Sequence, residues 1–203
     1  MKIGNKDFDL KNHVYIMGIL NVTPDSFSDG GRFDSQDQAL RHAEEMIEAG
    51  ADIIDIGGES TRPSHTPLGE DDELKRVIPM IEAIRKRFDI PISIDTYKAK
   101  VGEASIEAGA DLINDVWGFK REPRLAEVAA KHQIPCCLMH NRTDMDYTNL
   151  MADILDDLQE SIDIALEAGV SKDAIMLDPG IGFAKTSDNN LTVMHHLEAL
   201  QKL

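Results

Sequence analysis

Short apolar runs alternate along this chain with longer stretches of helical periodicity. The apolar runs predict strands over 14–21, 53–57, 91–95, 112–116, 135–139 and 175–178. The periodic stretches predict helices over roughly 36–49, 70–88, 98–108, 123–132, 149–168 and 188–202. An internal echo supports this division into six βα units. IEAGADIIDIGG (47–58) recurs as IEAGADLINDVWG (106–118) and, more loosely, as LEAGVSKDAIMLDPG (166–180). Gly50, Gly109 and Gly169 then stand where a helix should end in a left-handed cap. Repeated βα units with apolar strands imply a parallel sheet covered by helices.

Each strand leaves through a polar or glycine-bearing end: Asn21, Gly57-Gly58-Glu59, Asp95-Thr96, Asn114-Asp115, His140 and Asp178-Pro179. In a (β/α)8 barrel the carboxyl ends of all strands share one mouth, whereas an open doubly wound sheet gathers its polar groups at the switch point. Six polar strand ends favour the barrel, of which about six βα units are present here. One stretch stands out. GILNVTPDSFSDGG (18–31) carries a buried strand into a loop crowded with small polar groups around one aromatic, Phe27.

Composition narrows the function. A chain of 203 residues, 42% hydrophobic, suits a single domain over 1–203. No window approaches 18 consecutive apolar residues, and the polar start MKIGNKDFDLKNH lacks a signal peptide, so no membrane and a cytoplasmic location are expected. With 37 acidic against 21 basic residues, a net charge of −16 argues against nucleic acid as partner. Asp153, Asp156, Asp157, Glu160 and Asp163 read as a solvated helix face. Cys136 and Cys137 are adjacent and cannot staple the fold, so they read as buried thiols of a reducing compartment.

Asp95, Asn114 and Asp178 end the third, fourth and sixth predicted strands. Two carboxylates and an amide in an apolar mouth suit a flat heterocycle edged with N–H donors and a carbonyl. A carboxylate accepts two parallel N–H bonds from a guanidine-like edge, and the amide can both donate and accept. Metal binding or helix capping are the open alternatives.

The chain resembles the dihydropteroate synthase family in GILNVTPDSFSDGG (18–31), DIGGESTRP (55–63), SIDT (93–96), INDVWG (113–118), LMH (138–140) and DPGIGF (178–183), in order. The resemblance implies a TIM barrel that joins 6-hydroxymethyl-7,8-dihydropterin pyrophosphate to p-aminobenzoate and releases pyrophosphate. It places Asp95, Asn114, Met139, Asp178 and Phe183 around the pterin and Thr61 and Asn21 on the pyrophosphate side. Asn21 helps hold a magnesium ion in this reading, a hard cation otherwise bound by phosphate oxygens and water. Phe27, Arg62 and Pro63 would wall the p-aminobenzoate pocket, with 23–29 as a lid. Asp95 is the expected stabiliser of a pterin carbocation. Sulfonamides, as p-aminobenzoate mimics, would bind there too. A homodimer is compatible with this reading.

Plainer roles are also open: Phe27 tucked against the core, and Arg62 paired with a helix carboxylate. His140 is expected to be a structural hydrogen-bonding residue, His195-His196 to face solvent, and Trp117 to pack beneath the mouth. The chain departs from the family at Ser64, where glycine usually follows STRP. It also ends at Leu203 without the family's seventh and eighth units and their lysine, arginine and histidine. The expectation is that 1–203 alone is inactive and that the native product is longer by roughly two βα units. The alternatives are a catalytically silent pterin-binding paralogue and, more remotely, a methyltetrahydrofolate-dependent methyltransferase lacking the lid and ESTRP segments.

Overall fold

The structure, a computed structural model, describes residues 1–22, 32–59 and 67–203, of which 32–35 by their backbone alone. A two-stranded antiparallel hairpin, β1 (Lys2–Ile3) and β2 (Lys6–Asp7), comes first. There follow β3 (Met17–Asn21), α1 (Arg32–Glu48), β4 (Ile53–Gly57), α2 (Glu70–Arg87), β5 (Ile92–Asp95) and α3 (Ala99–Glu107). The chain continues through β6 (Leu112–Asp115), α4 (Arg124–His132), β7 (Cys136–Met139), α5 (Leu150–Glu167), β8 (Ile175–Asp178) and α6 (Ser187–His195).

Strands β3 to β8 form one sheet, all parallel, each beside its neighbour in sequence. That unbroken order is the winding of a barrel; a doubly wound sheet reverses direction partway. The strands are short because each need only cross a wall covered by helices. Ile54, Ile56, Ile94, Ile113 and Leu138 pack outward in one continuous core with Ile81 and Ile84 of α2 and Leu125 of α4. Residues two apart on a strand share a face, so Asp55, Gly57, Ser93, Asp95, Leu112, Asn114, Cys137, Met139 and Asp178 line the opposite, inner face.

The helices carry ordinary end signals. Helix α2 opens on Glu70, Asp71, Asp72 and Glu73 and closes on Arg85, Lys86 and Arg87, matching its macrodipole. Asn149 caps α5 by accepting from the Ala152 N–H at 3.3 Å, and Thr186 caps α6 by accepting from Asn189 at 3.1 Å. Gly50, Gly109 and Gly169 all take positive φ after their helices, as the internal echo predicted.

Three sequence expectations need correction. The sequence predicts a first strand from residue 14, but β3 begins at Met17, and Val14 is 89% exposed. Tyr15 leaves the sheet instead to pack on Phe8, with ring centroids 4.6 Å apart. The hairpin was not foreseen: Ile3 and Phe8 close the foot of the sheet against Ile53 and Leu112. The last helix stops at His195 and resumes as a 3-10 turn over Leu197–Lys202.

Candidate functional site

The strand register builds the site. Asn21 pairs with Gly57, Gly57 with Asp95, Asp95 with Asn114, and Asn114 with Cys137. One row across the inner face thus brings together three of the residues singled out from sequence. Met139 pairs with Asp178 one step nearer the mouth. Gly57 lies between Asn21 and Asp95 with no side chain of its own. A Cβ there would meet Asn21 Oδ1 at 3.3 Å and Asp95 Oδ2 at 3.4 Å, so the two oxygens face each other across the gap.

Behind this row sits a residue that sequence reading did not single out. Asp55 is 4% exposed, and its Oδ2 accepts from Asn114 Nδ2 at 3.2 Å. That bond commits the Asn114 amide N–H side to Asp55 and leaves its carbonyl oxygen for another donor. Burial pushes the Asp55 carboxyl up, against lowering by its neighbours Ser93 and Asn114. Ser93 is near enough to Asp55 to lower it, yet Asp55 Oδ1 and Ser93 Oγ are buried without a well-formed hydrogen bond among the described residues. The signal was available in IIDIG, where an acid interrupts an otherwise apolar buried strand.

Asp95 is crowded by other acids. Burial, then the charges of Asp55, Asp115, Glu73 and Glu59, hold its carboxyl well above the usual range. It lines a cavity with Tyr97, Val116, Trp117, Arg121 and Phe183. Trp117 therefore faces the cavity rather than packing beneath the mouth, with the Arg121 guanidinium 5.1 Å from its ring centre. Its turn is held by Asp115, which accepts from the N–H groups of Trp117 and Phe119 at 2.8 Å each. Burial still pushes Asp115 up to about 6.

Asp178 closes the far side. Its Oδ1 accepts from the Gly180 N–H at 2.7 Å, which aims the carboxylate over the loop that follows β8. Met139 is 4% exposed beside it. Cys137, the row-mate of Asn114, has its thiol driven far up by burial and then by the charges of Asp178 and Asp55. Burial pushes Cys136 up to about 12, so both cysteines stay protonated near neutral pH. His140 is fully buried and bonds Asp157 Oδ2 through Nε2 at 3.0 Å, the structural part expected of it. Asp157 accordingly leaves the solvated acidic face to which the sequence assigned it. His195 and His196 are exposed.

Phe27, Thr61, Arg62 and Pro63, with the proposed lid, lie outside the described residues. The flank of their second segment is visible: Glu59 Oε2 accepts from the Leu68 N–H at 3.1 Å and bonds the buried Lys98 ammonium, which also bonds Glu73. Among the described residues no group of three or more His, Cys, Asp or Glu is arranged to hold a metal, and no helix is long and apolar enough to cross a membrane.

A model of the pterin binding enzyme family matches residues 17–203. The dihydropteroate synthase of Clostridium beijerinckii is 60% identical over 203 residues, covering 100% of this chain and 76% of that protein. Dihydropteroate synthase from Clostridium difficile, solved in the presence of pteroic acid, superposes with a TM-score of 0.93 at 48% identity, over 97% of this chain and 75% of that one. The Xanthomonas albilineans enzyme with 4-aminobenzoic acid gives a TM-score of 0.89 at 41% identity, over 95% of this chain and 70% of that one.

Proposed function

The chain belongs to the dihydropteroate synthase family of pterin-binding enzymes, a TIM-barrel family, and from that premise we propose how its residues carry the reaction. The reaction condenses 6-hydroxymethyl-7,8-dihydropterin pyrophosphate with p-aminobenzoate to give 7,8-dihydropteroate and pyrophosphate. The observation that carries the reading is the inner-face row, which sets Asn21, Asp95 and Asn114 side by side with Asp178 one step above.

Asp178 accepts the paired N–H donors of the pterin's guanidine-like edge. Asn114, its amide N–H side held by Asp55, presents its carbonyl to another ring N–H. Met139 and Phe183 pack on the ring. Pyrophosphate leaves the exocyclic methylene carbon with the bonding electron pair, and the resulting cation is delocalised into the pterin. The neutral amine of p-aminobenzoate attacks that carbon and loses a proton, with no covalent enzyme intermediate and no part for either cysteine. Asp95 stands beside the developing charge. Burial and four neighbouring acids raise the cost of its ionised form, and a cation next to it recovers that cost only as the transition state forms.

Magnesium fits the corner beside Asn21, whose Oδ1 is one hard oxygen at an exposed position; pyrophosphate oxygens and water would complete its shell. When bound, the ion supplies neutralising charge to the leaving group. Thr61 on the pyrophosphate side, and Phe27, Arg62 and Pro63 around p-aminobenzoate, complete the reading on sequence grounds. The enzyme is cytoplasmic in this reading. A homodimer is compatible with this reading.

Two substitutions separate binding from chemistry. Asp178→Ala should cost about 1.5–3 kcal/mol of pterin affinity by calorimetry, the worth of a charge-assisted contact. Asp95→Asn should lower turnover far more than ground-state binding. Equal losses in both would reduce Asp95 to a binding group, and unchanged pterin affinity in the Asp178 variant would remove Asp178 from the site.

A further inference from the structure

A second buried cluster lies under the loop that follows β8. Lys185 is 7% exposed, and its ammonium makes three contacts: His140 Nδ1 at 2.8 Å, Gly180 O at 3.0 Å and Phe183 O at 3.0 Å. An ammonium has three protons and no lone pair. All three are therefore committed, and His140 Nδ1 must be the acceptor. The remaining ring proton then sits on Nε2 and is donated to Asp157 Oδ2, which also accepts from Arg142 Nε at 2.5 Å. The tautomer of His140 follows from its partners. A continuous chain of bonds runs from helix α5, through His140 and Lys185, to two backbone carbonyls of the loop.

Those two carbonyls bracket the residues that matter. Gly180, with φ +70, donates its N–H to Asp178 Oδ1, and an added Cβ there would stand 2.0 Å from His140 O. The Phe183 N–H closes the turn onto Gly180 O at 3.1 Å. Tyr147 O–H holds the next carbonyl, Ala184 O, at 2.8 Å. Lys185 is thus the cation at the centre of a turn whose rim carries Asp178 and Phe183.

We propose that Lys185 is a positioning residue for pterin recognition: its three-donor ammonium, oriented by His140 and Asp157, sets the Gly180–Phe183 turn and with it the Asp178 carboxylate and the Phe183 ring. This rests on the reading of Asp178 and Phe183 as pterin contacts. The ammonium is poised to titrate. Burial lowers it to about 8, partly offset by Asp178 and Asp157 and reinforced by Arg142. His140, held down to about 4 mainly by burial and by Lys185, with Lys120 adding to this and Asp157 opposing it, stays neutral throughout. Above the lysine's pKa the amine keeps two protons for three acceptors, and one bond of the turn is lost.

The test uses the intact protein with Lys185→Met and Lys185→Arg beside wild type. Calorimetry with the pterin pyrophosphate should show Lys185→Met binding about tenfold to a hundredfold more weakly, as expected for buried acceptors left unpaired. Binding of p-aminobenzoate in the presence of pyrophosphate, by the same calorimetry, should stay near wild type, which a general loss of packing would not respect. The chain's single tryptophan, Trp117, shares a cavity with Phe183 and reports on the turn without ligand. Its emission in wild type should titrate with a midpoint near 8, and that step should vanish in both variants. Wild-type pterin affinity in Lys185→Met, a flat wild-type emission, or a step that survives either substitution would overturn the proposal. Should Lys185→Met fail to fold, the wild-type emission and Lys185→Arg still decide it. Failure of wild type to bind the pterin at all would instead sink the pterin reading, while the emission step would still judge Lys185.

Discussion

Lys98 and Lys185 are almost equally buried, at 6% and 7% exposure, yet their surroundings are opposites. Lys98 bonds two carboxylates, Glu59 and Glu73, the latter also held by the Thr96 hydroxyl at 2.7 Å. Lys185 has an imidazole nitrogen and two carbonyls. Burial disfavours charge on both. At Lys98 the bonds to Glu59 and Glu73 outweigh it and the ammonium is held above its ordinary range; at Lys185 nothing comparable does, and it falls to about 8. What a buried lysine does is decided by the charge of its partners. Lys98 is an anchor at the root of the segment after β4, and Lys185 a lever under the loop after β8.

The largest effect should come from breaking the anchor. Lys98→Met would leave the buried Glu73 without its cation and should cost about 3–5 kcal/mol in denaturant unfolding. Lys185→Met removes bonds to neutral acceptors only and should cost less, about 1–3 kcal/mol. A reversed order would break the comparison outright. The two should also differ in their pH slopes. Lys185 is depressed in the fold, so between about 8 and 10.5 the unfolded chain holds more of its proton, and the stability gap between wild type and Lys185→Met should widen as pH rises through that window. Lys98 is raised, so its contribution is complete below 10.5 and fades only above it; its gap should stay level over the same window. The smallest effect should be Tyr147→Phe, about 0.5–1.5 kcal/mol, because it removes a single brace from the Lys185 loop. A loss as large as that of Lys98→Met would mean that the loop is held by Tyr147 rather than by the lysine.

The strands and their polar ends were legible because alternation and run length are local properties. Asp95, Asn114 and Asp178 needed nothing more than their positions at the ends of apolar runs. The hairpin was hidden because two-residue strands such as Lys2–Ile3 are too short to show a period. Val14 and Ile16 read as strand because they are apolar, although both are exposed and the Ile16 N–H bonds the Asp52 side chain instead. The break at His196 left no mark, since HHLEALQ continues a helical period. Asp157 and Lys185 were misplaced or passed over for one reason: their partners are distant in sequence. His140 lies 45 residues from Lys185, and only the fold shows that the three side chains meet. Trp117 turned toward the cavity because Asp115 captures the N–H of its turn, a local capture that INDVWG alone does not announce.

Gly57 has a consequence for the hydration of the mouth. Asn21 Oδ1 and Asp95 Oδ2 flank the place where its side chain would be, each within 3.4 Å of the missing atom. One methyl there would dry both oxygens at once while bonding neither. Without it, the edge of Asp95 that folding leaves open stays beside the Asn21 amide at the mouth, so the last part of its dehydration falls on the binding step. Position 57 thus governs how wet the neighbouring acid is, through an atom the protein leaves out.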